Sequence, residues 1–489
     1  MRLKKRGSHV KMCKIRNIKE CYNYIMLKQF IGDRAFYKRL LVLALPIMVQ
    51  NGITNLVNMV DNIMVGKLGT PEMTGVAVAN QLLFVFNLCV FGACSGAGIF
   101  GAQFFGCRDH KGVRDTFRFR FVFCLLFTAA AIALFLFADE GLIGLYLKGE
   151  GSAETAAESL LFGKKYLSVM LLGLIPYTIA QCYSSILRET GRSLPPMIAG
   201  VSAVCVNLIL NYILIFGKFG VPKLGVIGAA IATVISRYVE LAIVAGWTHR
   251  RKDINKFIVG AYRSLRVPKA LIGDIMRKGM PLMLNEALWA SGIAFINQCL
   301  SVKGQDVVAA NNISQTFWNV FSVAFTAFGI AIGIILGQLL GDGKLSQVRD
   351  ESRKLIAFTV FSSVVVAALY VPCTFIIPSI YNSTAEIKSL ATSLMLITAF
   401  AMPIDAFAHS TYFTLRSGGK TFITFLFDSG FVWCITLPIA FILSRYTSVG
   451  VLPLFAITQF INIFKCLLGA YLVKRGSWIR NIVSDKKGE

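Results

Sequence analysis

Five carboxylates fall inside long apolar runs of this chain: Asp61, Glu240, Glu286, Asp405 and Asp428. An ionisable group in hydrocarbon is costly, so each must be paired, face a watery cavity or take part in function. Depth separates them. At about 1.5 Å per residue from the ends of their runs, Asp61 lies roughly 5 Å inside the outer boundary, Asn211 roughly 9 Å, and Asn207 and Thr233 about 14 Å. All four sit in the outer leaflet of the amino-terminal half. A carboxylate with amide and hydroxyl oxygens beside it suits a hard monovalent cation or a proton relay. By the same arithmetic Glu286 is about 10 Å from the inner face and Asp405 is near the centre, so the second half offers another acidic region.

Plainer roles stand beside these. Asp61 can occupy a wet helix end near Lys67, and Asn207 and Asn211, one turn apart, can bind helices together by hydrogen bonds. Glu240 follows Arg237 by three residues on one helix face, which suits an ion pair. Asp428 has no evident partner along the chain, because the nearest basic residue, Lys420, is roughly 12 Å away along the axis.

The elements that must position these residues are apolar runs, since roughly 20 residues of helix cross a hydrocarbon core of about 30 Å. Such runs occupy 39–64, 73–105, 118–138, 164–188, 195–217, 224–247, 279–301, 307–340, 355–380, 388–415, 421–444 and 449–473. The expected fold is therefore an all-α integral membrane protein of twelve transmembrane helices. The second and eighth runs are longer than a perpendicular crossing needs, which predicts tilt, a bend or extension beyond the membrane. Gly92, Gly96, Gly98 and Gly101 mark the second for a bend.

Composition agrees. Of 489 residues, 55% are hydrophobic, the mean hydropathy is +0.65, and only 15% are charged. The formal charge of +25 comes from 50 Lys+Arg against 25 Asp+Glu. These basic residues cluster in short segments between apolar runs, so they form no continuous face for nucleic acid. With loops alternating between sides, about 39 of them fall in the two tails and the even-numbered loops and about nine in the odd-numbered loops, which places both termini in the cytoplasm. The expected setting is a multi-pass protein of the plasma (inner) membrane. The basic stretch from Arg2 to Lys19 lacks the short apolar core and cleavage site of a signal peptide. The twelve cysteines are scattered, as small buried hydrophobes would be, without metal-ligand or disulfide spacing.

The chain repeats itself. At an offset of 235 residues Pro46 meets Pro281, Gly69 meets Gly304, Gly98 meets Gly333, Gln103 meets Gln338 and Gly106 meets Gly341. A one-residue slip pairs Gln81 with Gln315. Further on Pro176 pairs with Pro403 and, after another slip, Arg188 with Arg416. The division that follows is a basic tail (1–38), a six-helix half (39–247), a basic cytoplasmic linker (248–278), a second six-helix half (279–473) and a cytoplasmic tail (474–489). Two parallel six-helix repeats related by a pseudo-two-fold axis along the membrane normal are a recurring plan of secondary transporters, whose halves rock about a central site. Duplication can also merely enlarge a structural membrane protein. The paired prolines Pro46, Pro176, Pro281 and Pro403 free backbone carbonyls within spans and are candidate helix hinges, or ordinary tolerated kinks.

Several classes are disfavoured. No G-x-x-x-x-G-K-[ST] loop is present, so the chain carries no P-loop ATPase of its own. An enzyme is not expected, because the four histidines (His9, His110, His249 and His409) form no cluster and three lie in the tail or loops. A flippase for lipid-linked oligosaccharide would want a cationic cavity, whereas mid-membrane basic residues are few, Arg237 and Lys465 among them.

The segment "LALPIMVQNGITNLVNMVDNIMVGKLGT" from Leu43 resembles the first helix of multidrug and toxic compound extrusion (MATE) transporters. "GMPLMLNEALWASG" from Gly279, "LRSGGKT" from Leu415 and "VNLILNYILIFGKFGVPKLGVIGAAIATVISR" from Val206 are similar to other parts of that family. The resemblance spans nearly the whole chain beyond the tail. It implies an exporter that exchanges organic, often cationic and aromatic, compounds for sodium ions or protons by alternating access. It implies no cofactor, small organic molecules and membrane lipid as partners, and a monomer. The family's amino-terminal cation site maps onto Asp61, Asn207, Asn211 and Thr233, a possible sodium site and the same four that depth groups together. Asn211 stands where the family often has an aspartate, so this site carries one fewer negative charge. In the NorM-type branch a second acidic site uses the seventh and tenth helices. Asp405, in "MPIDAF", matches the latter, while Glu286 lies about one turn nearer the preceding proline than in some members.

Overall fold

The computed structural model of the chain describes residues 29–147 and 153–484. Twelve helical columns run through it: α1 (Arg34–Gly66), α2 (Thr70–Gly106), α3 (His110–Leu147), α4 (Glu154–Glu189), α5 (Leu194–Phe216) and α6 (Gly225–Arg250) make the first half. The second half holds α7 (Lys269–Ser301), α8 (Gln305–Phe321 and Val323–Gly341), α9 (Leu345–Ile380), α10 (Ala385–Ser417), α11 (Thr421–Arg445) and α12 (Val451–Arg475). No strand occurs among the described residues. Eleven columns contain a helix long and apolar enough to cross a bilayer. The other, α7, has the length, but Asn285, Glu286, Asn297 and Gln298 dilute its apolar stretch.

Several helices outrun their apolar runs, because polar residues at a span's end can continue the helix into water. Thus α3 begins at His110 rather than 118, α9 at Leu345 rather than 355 and α7 at Lys269 rather than 279. The connection between the halves narrows to residues 251–268 and is tied down. Arg118 on α3 donates to the carbonyls of Ala261 (2.8 Å) and Gly260 (2.7 Å), and Phe257 and Ile258 are buried. Of the amino-terminal tail, residues 1–28 lie outside the described residues.

The glycines of α2 serve close packing, and the helix runs unbroken through all four. A Cβ on Gly96 would collide with the Cα of Gly279 on α7, and Gly98 and Gly101 make room for the carboxylate of Glu189. The interruption falls instead in α8, at Ser322. Pro46, Pro281 and Pro403 are carried inside continuous helix, while Pro176 lies in the first turn after a 3-10 segment, Leu171–Gly173, within α4. Pro438 has a further effect in α11. It offers no N–H to the carbonyl four residues back, and the two turns ahead of it, Leu426–Gly430 and Val432–Thr436, are widened into π-helix.

Each half has its own apolar core, the first around Phe86, Phe117, Leu167 and Ile186, the second around Tyr370, Leu394 and Met402. A third core, with Leu40, Leu336 and Trp478, fastens the halves together at the face of the bundle where the described residues begin and end. There the repeat is visible in hydrogen bonds. Gln103 on α2 donates to the Ser417 carbonyl at the end of α10 (3.0 Å), and its repeat partner Gln338 on α8 donates to the Glu189 carbonyl at the end of α4 (2.7 Å). Both bonds cross from one half to the other, and the acceptors follow the paired Arg188 and Arg416. The segment from Gly476 to Ser484 lies over this junction, with Trp478 fully buried and the Ile482 N–H donating to Gln103 Oε1 (2.8 Å). That stretch, read from sequence as part of a cytoplasmic tail, is thus partly structural.

Contact between the halves is weighted to this face. Val323–Gly341 of α8 packs on both α1 and α2, whereas Gln305–Phe321, nearer the opposite face, barely touches them. The bundle is closed at the face where the described residues begin and end, and parts towards the other side.

Because two backbones meet at Gly96 and Gly279, Gly96→Leu should destabilise the protein by about 1–3 kcal/mol. Thermal unfolding in detergent checks this, with Gly52→Ala as the control, since a Cβ there meets nothing within 4 Å.

Candidate functional site

The structure joins Asp61, Asn207, Asn211 and Thr233 into one polar chain, drawn from α1, α5 and α6. Asn211 Nδ2 donates to Asp61 Oδ1 (2.8 Å) and to Asn207 Oδ1 (3.2 Å), and Asn207 Nδ2 donates to Thr233 Oγ1 (3.2 Å). Asn207 and Asn211 stack because they are one turn apart on α5, the most apolar helix of this half by sequence, and both are buried. The Oδ1 of Asn211 is buried without a hydrogen-bond donor. A lone pair left unmet in low dielectric is costly. The cluster therefore has a carboxylate and a free carbonyl oxygen close together, a donor set that fits a small cation. Asp61 bonds to Asn211 rather than to Lys67.

The second half carries the other cluster, around a cavity of about 470 Å³. Asp405 on α10 lines it and accepts a hydrogen bond from Asn462 Nδ2 on α12 (3.3 Å). Glu286 on α7 does not line it; its polar neighbours are Arg416, Asp428 and Tyr412. No hydrogen bond among the described residues joins Glu286 to Asp405, so the two stand in one region without forming one ligand set.

Between them lies a pair that distance along the chain conceals. Asp428, presented by the first π-turn of α11, accepts a short hydrogen bond from Lys465 Nζ on α12. Its second oxygen accepts from Asn285 Nδ2 on α7 (3.0 Å). Asn285 also accepts from the N–H and the Oγ of Ser429 (3.2 and 2.8 Å), locking α7 to α11. The only traces of this pair in the sequence are a lone lysine in the last apolar run and a lone aspartate in the run before it. Trp289, Trp318, Phe325, Phe455 and Tyr412 give the cavity aromatic walls.

The remaining buried charges are differently arranged from the sequence reading. Glu240 forms no ion pair with Arg237 among the described residues. Arg237 instead donates to the Gly173 carbonyl (3.3 Å) and lies over the Tyr177 ring at 5.0 Å, and Glu240 has both Arg188 and Arg237 as charged neighbours. A buried pair missed altogether is Arg120 with Glu189, at 2.8 Å, supported by Ser185 Oγ.

The sequence model of the MatE family matches residues 46–213 and again 281–442, so the two matches open on the paired Pro46 and Pro281. The chain belongs to the MatE family. This MATE transporter is similar to the "probable multidrug resistance protein NorM" of Thermotoga maritima, with 28% identity over 461 residues, 92% of this chain and 95% of the relative. It is 26% identical to the "multidrug resistance protein PmpM" of Pseudomonas aeruginosa over 427 residues, 85% of each chain. Its fold is shared with a solved multidrug resistance MATE family transporter in an outward-facing conformation, with a TM-score of 0.81 and 20% identity, covering 92% of this chain and 98% of that one. A MOP superfamily transporter from Pyrococcus furiosus gives a TM-score of 0.80 at 19% identity, with the same coverage.

Removing one partner of a buried ion pair strands the other. Lys465→Met should therefore cost the transporter about 3 kcal/mol of stability, and adding Asp428→Asn should recover most of it. Thermal melts of the two variants beside the parent give the comparison.

Proposed function

We propose that this transporter exports organic cations across the plasma membrane by antiport with sodium ions or protons, through alternating access. In this reading the face where the described residues begin and end is the cytoplasmic one, so the conformation closed there is the outward-open state. One observation carries the reading. Neither Asp61 nor Asp405 belongs to an ion pair among the described residues; each is held by an asparagine amide. A buried carboxylate without a fixed counter-ion can exchange mobile ones.

The coupling follows from that. An organic cation neutralises the carboxylate from the inward-open side, and a sodium ion or proton takes its place from the outward-open side. Competition for one negative charge is enough to link the two fluxes. In the first half, Asp61 and the Oδ1 atoms of Asn207 and Asn211, with Thr233 Oγ1, are the oxygens a sodium ion would use, and Asp61 alone would serve a proton. In the second half Asp405 faces the cavity, while Glu286 acts through its neighbours Asp428 and Arg416. Pro46, Pro176, Pro281 and Pro403 are hinges for rocking, since each frees a carbonyl at a place repeated in both halves. One chain encloses both clusters, so a monomer suffices, and no covalent chemistry or cofactor is required. The names of the relatives, as multidrug resistance proteins, support an exporter of this kind. A polyanionic lipid-linked oligosaccharide is disfavoured by a cavity with two carboxylates and one lysine.

Reconstituted in proteoliposomes, the parent should extrude ethidium faster when a sodium or a proton gradient is imposed. Asp61→Asn or Asp405→Asn, correctly inserted, should lose at least about tenfold of that gradient-driven rate. Equal rates in parent and both variants would defeat the proposal, and indifference to both gradients would favour a flippase.

A further inference from the structure

The cavity of the second half contains its own cation. Two carboxylates and one ammonium line it, Asp405, Asp428 and Lys465, together with the imidazole of His409. Lys465 reaches in from α12, donates to Asp428 Oδ1, and holds its ammonium 5.3 Å from the Phe427 ring. Asn285 takes the other oxygen of Asp428. This carboxylate is therefore already satisfied, by a lysine that cannot leave. Asp405 remains, held among the described residues by the Asn462 amide. Beyond the lining, Glu286 and Arg416 are neighbours of opposite sign.

Resting on the reading that this cavity receives organic cations, we infer that Lys465 is a specificity-determining residue that limits the cavity to ligands of a single positive charge. A monocation with an aromatic body finds one uncompensated carboxylate and the rings of Trp289, Trp318 and Tyr412. A dication must bring its second charge into a partly dehydrated space where the ammonium of Lys465 already holds the second carboxylate. Charges there repel far more strongly than in bulk water. With Lys465 the charged lining sums to one negative charge, and without it to two.

Ethidium and propidium test this, because they share one aromatic ring system and differ by a quaternary ammonium group on the side chain of propidium. Binding of each dye to the purified full chain is measured by fluorescence at pH 8, above the ordinary imidazole pKa of about 6.5. The readout is the ratio of the propidium Kd to the ethidium Kd, which does not depend on turnover. The parent should favour ethidium. Lys465→Gln, which keeps an amide donor for Asp428, should lower the ratio at least about tenfold. Adding Asp428→Asn returns the lining to one negative charge and should restore the parental ratio. Gln459→Glu adds a carboxylate to the lining without touching the pair, and should reproduce the gain even if Lys465→Gln fails to fold. An unchanged ratio in Gln459→Glu, or in a folded Lys465→Gln, overturns the inference, as does a gain that persists in the double variant. If the parent binds neither dye, the proposed function itself falls and the inference with it.

Discussion

The cost of a charge in hydrocarbon organises this molecule. Every carboxylate buried in the bundle must find a fixed cation, a hydrogen-bond donor or an exchangeable ion. Arg120 holds Glu189 and Lys465 holds Asp428, and these pairs tie α3 to α4 and α11 to α12. Asp61 and Asp405 are treated differently, with amides in place of cations. In the proposed antiport, the distinction between paired and amide-held carboxylates separates what fastens the bundle from what loads and unloads.

The duplicated architecture supplies the rest. Gln103 and Gln338 make the same cross-half hydrogen bond twice, each to the last carbonyls of the helix that carries Arg188 or Arg416. Each such bond contributes only about 1 kcal/mol. Closure at this face therefore depends also on the apolar core beneath it and on glycine contacts such as Gly96 with Gly279. A junction of many small terms can open without breaking any one large interaction, as alternation between two faces requires.

Much of the fold was legible because hydrocarbon imposes a length and a composition on each crossing, and duplication leaves equivalent residues at fixed offsets. The offset pairing of Gln103 with Gln338 was readable from sequence, though not what each would bind. Asn207 and Asn211 could be placed together because helical periodicity fixes neighbours one turn apart, and depth put Asp61 and Thr233 in the same leaflet as both. Lys465 and Asp428 could not be matched, since nothing local relates residues on different helices. For the same reason Arg237 was assigned to Glu240, its neighbour on the same helix, when Gly173 and Tyr177 on α4 claim it. Helix ends were misplaced wherever helix continues past the apolar run, as at Lys269. The glycines of α2 were read as a bend because sequence does not reveal which helix will lie against them.

In the proposed antiport, ion and substrate compete for the same negative charge. The most direct measurement of this competition is the ethidium Kd of the purified transporter at equilibrium, with no membrane gradient, titrated against sodium concentration and separately against pH. Competition predicts that the Kd rises in proportion to one of these ions once that ion exceeds its own dissociation constant. A Kd that stays constant across both titrations would rule out competition at a shared carboxylate.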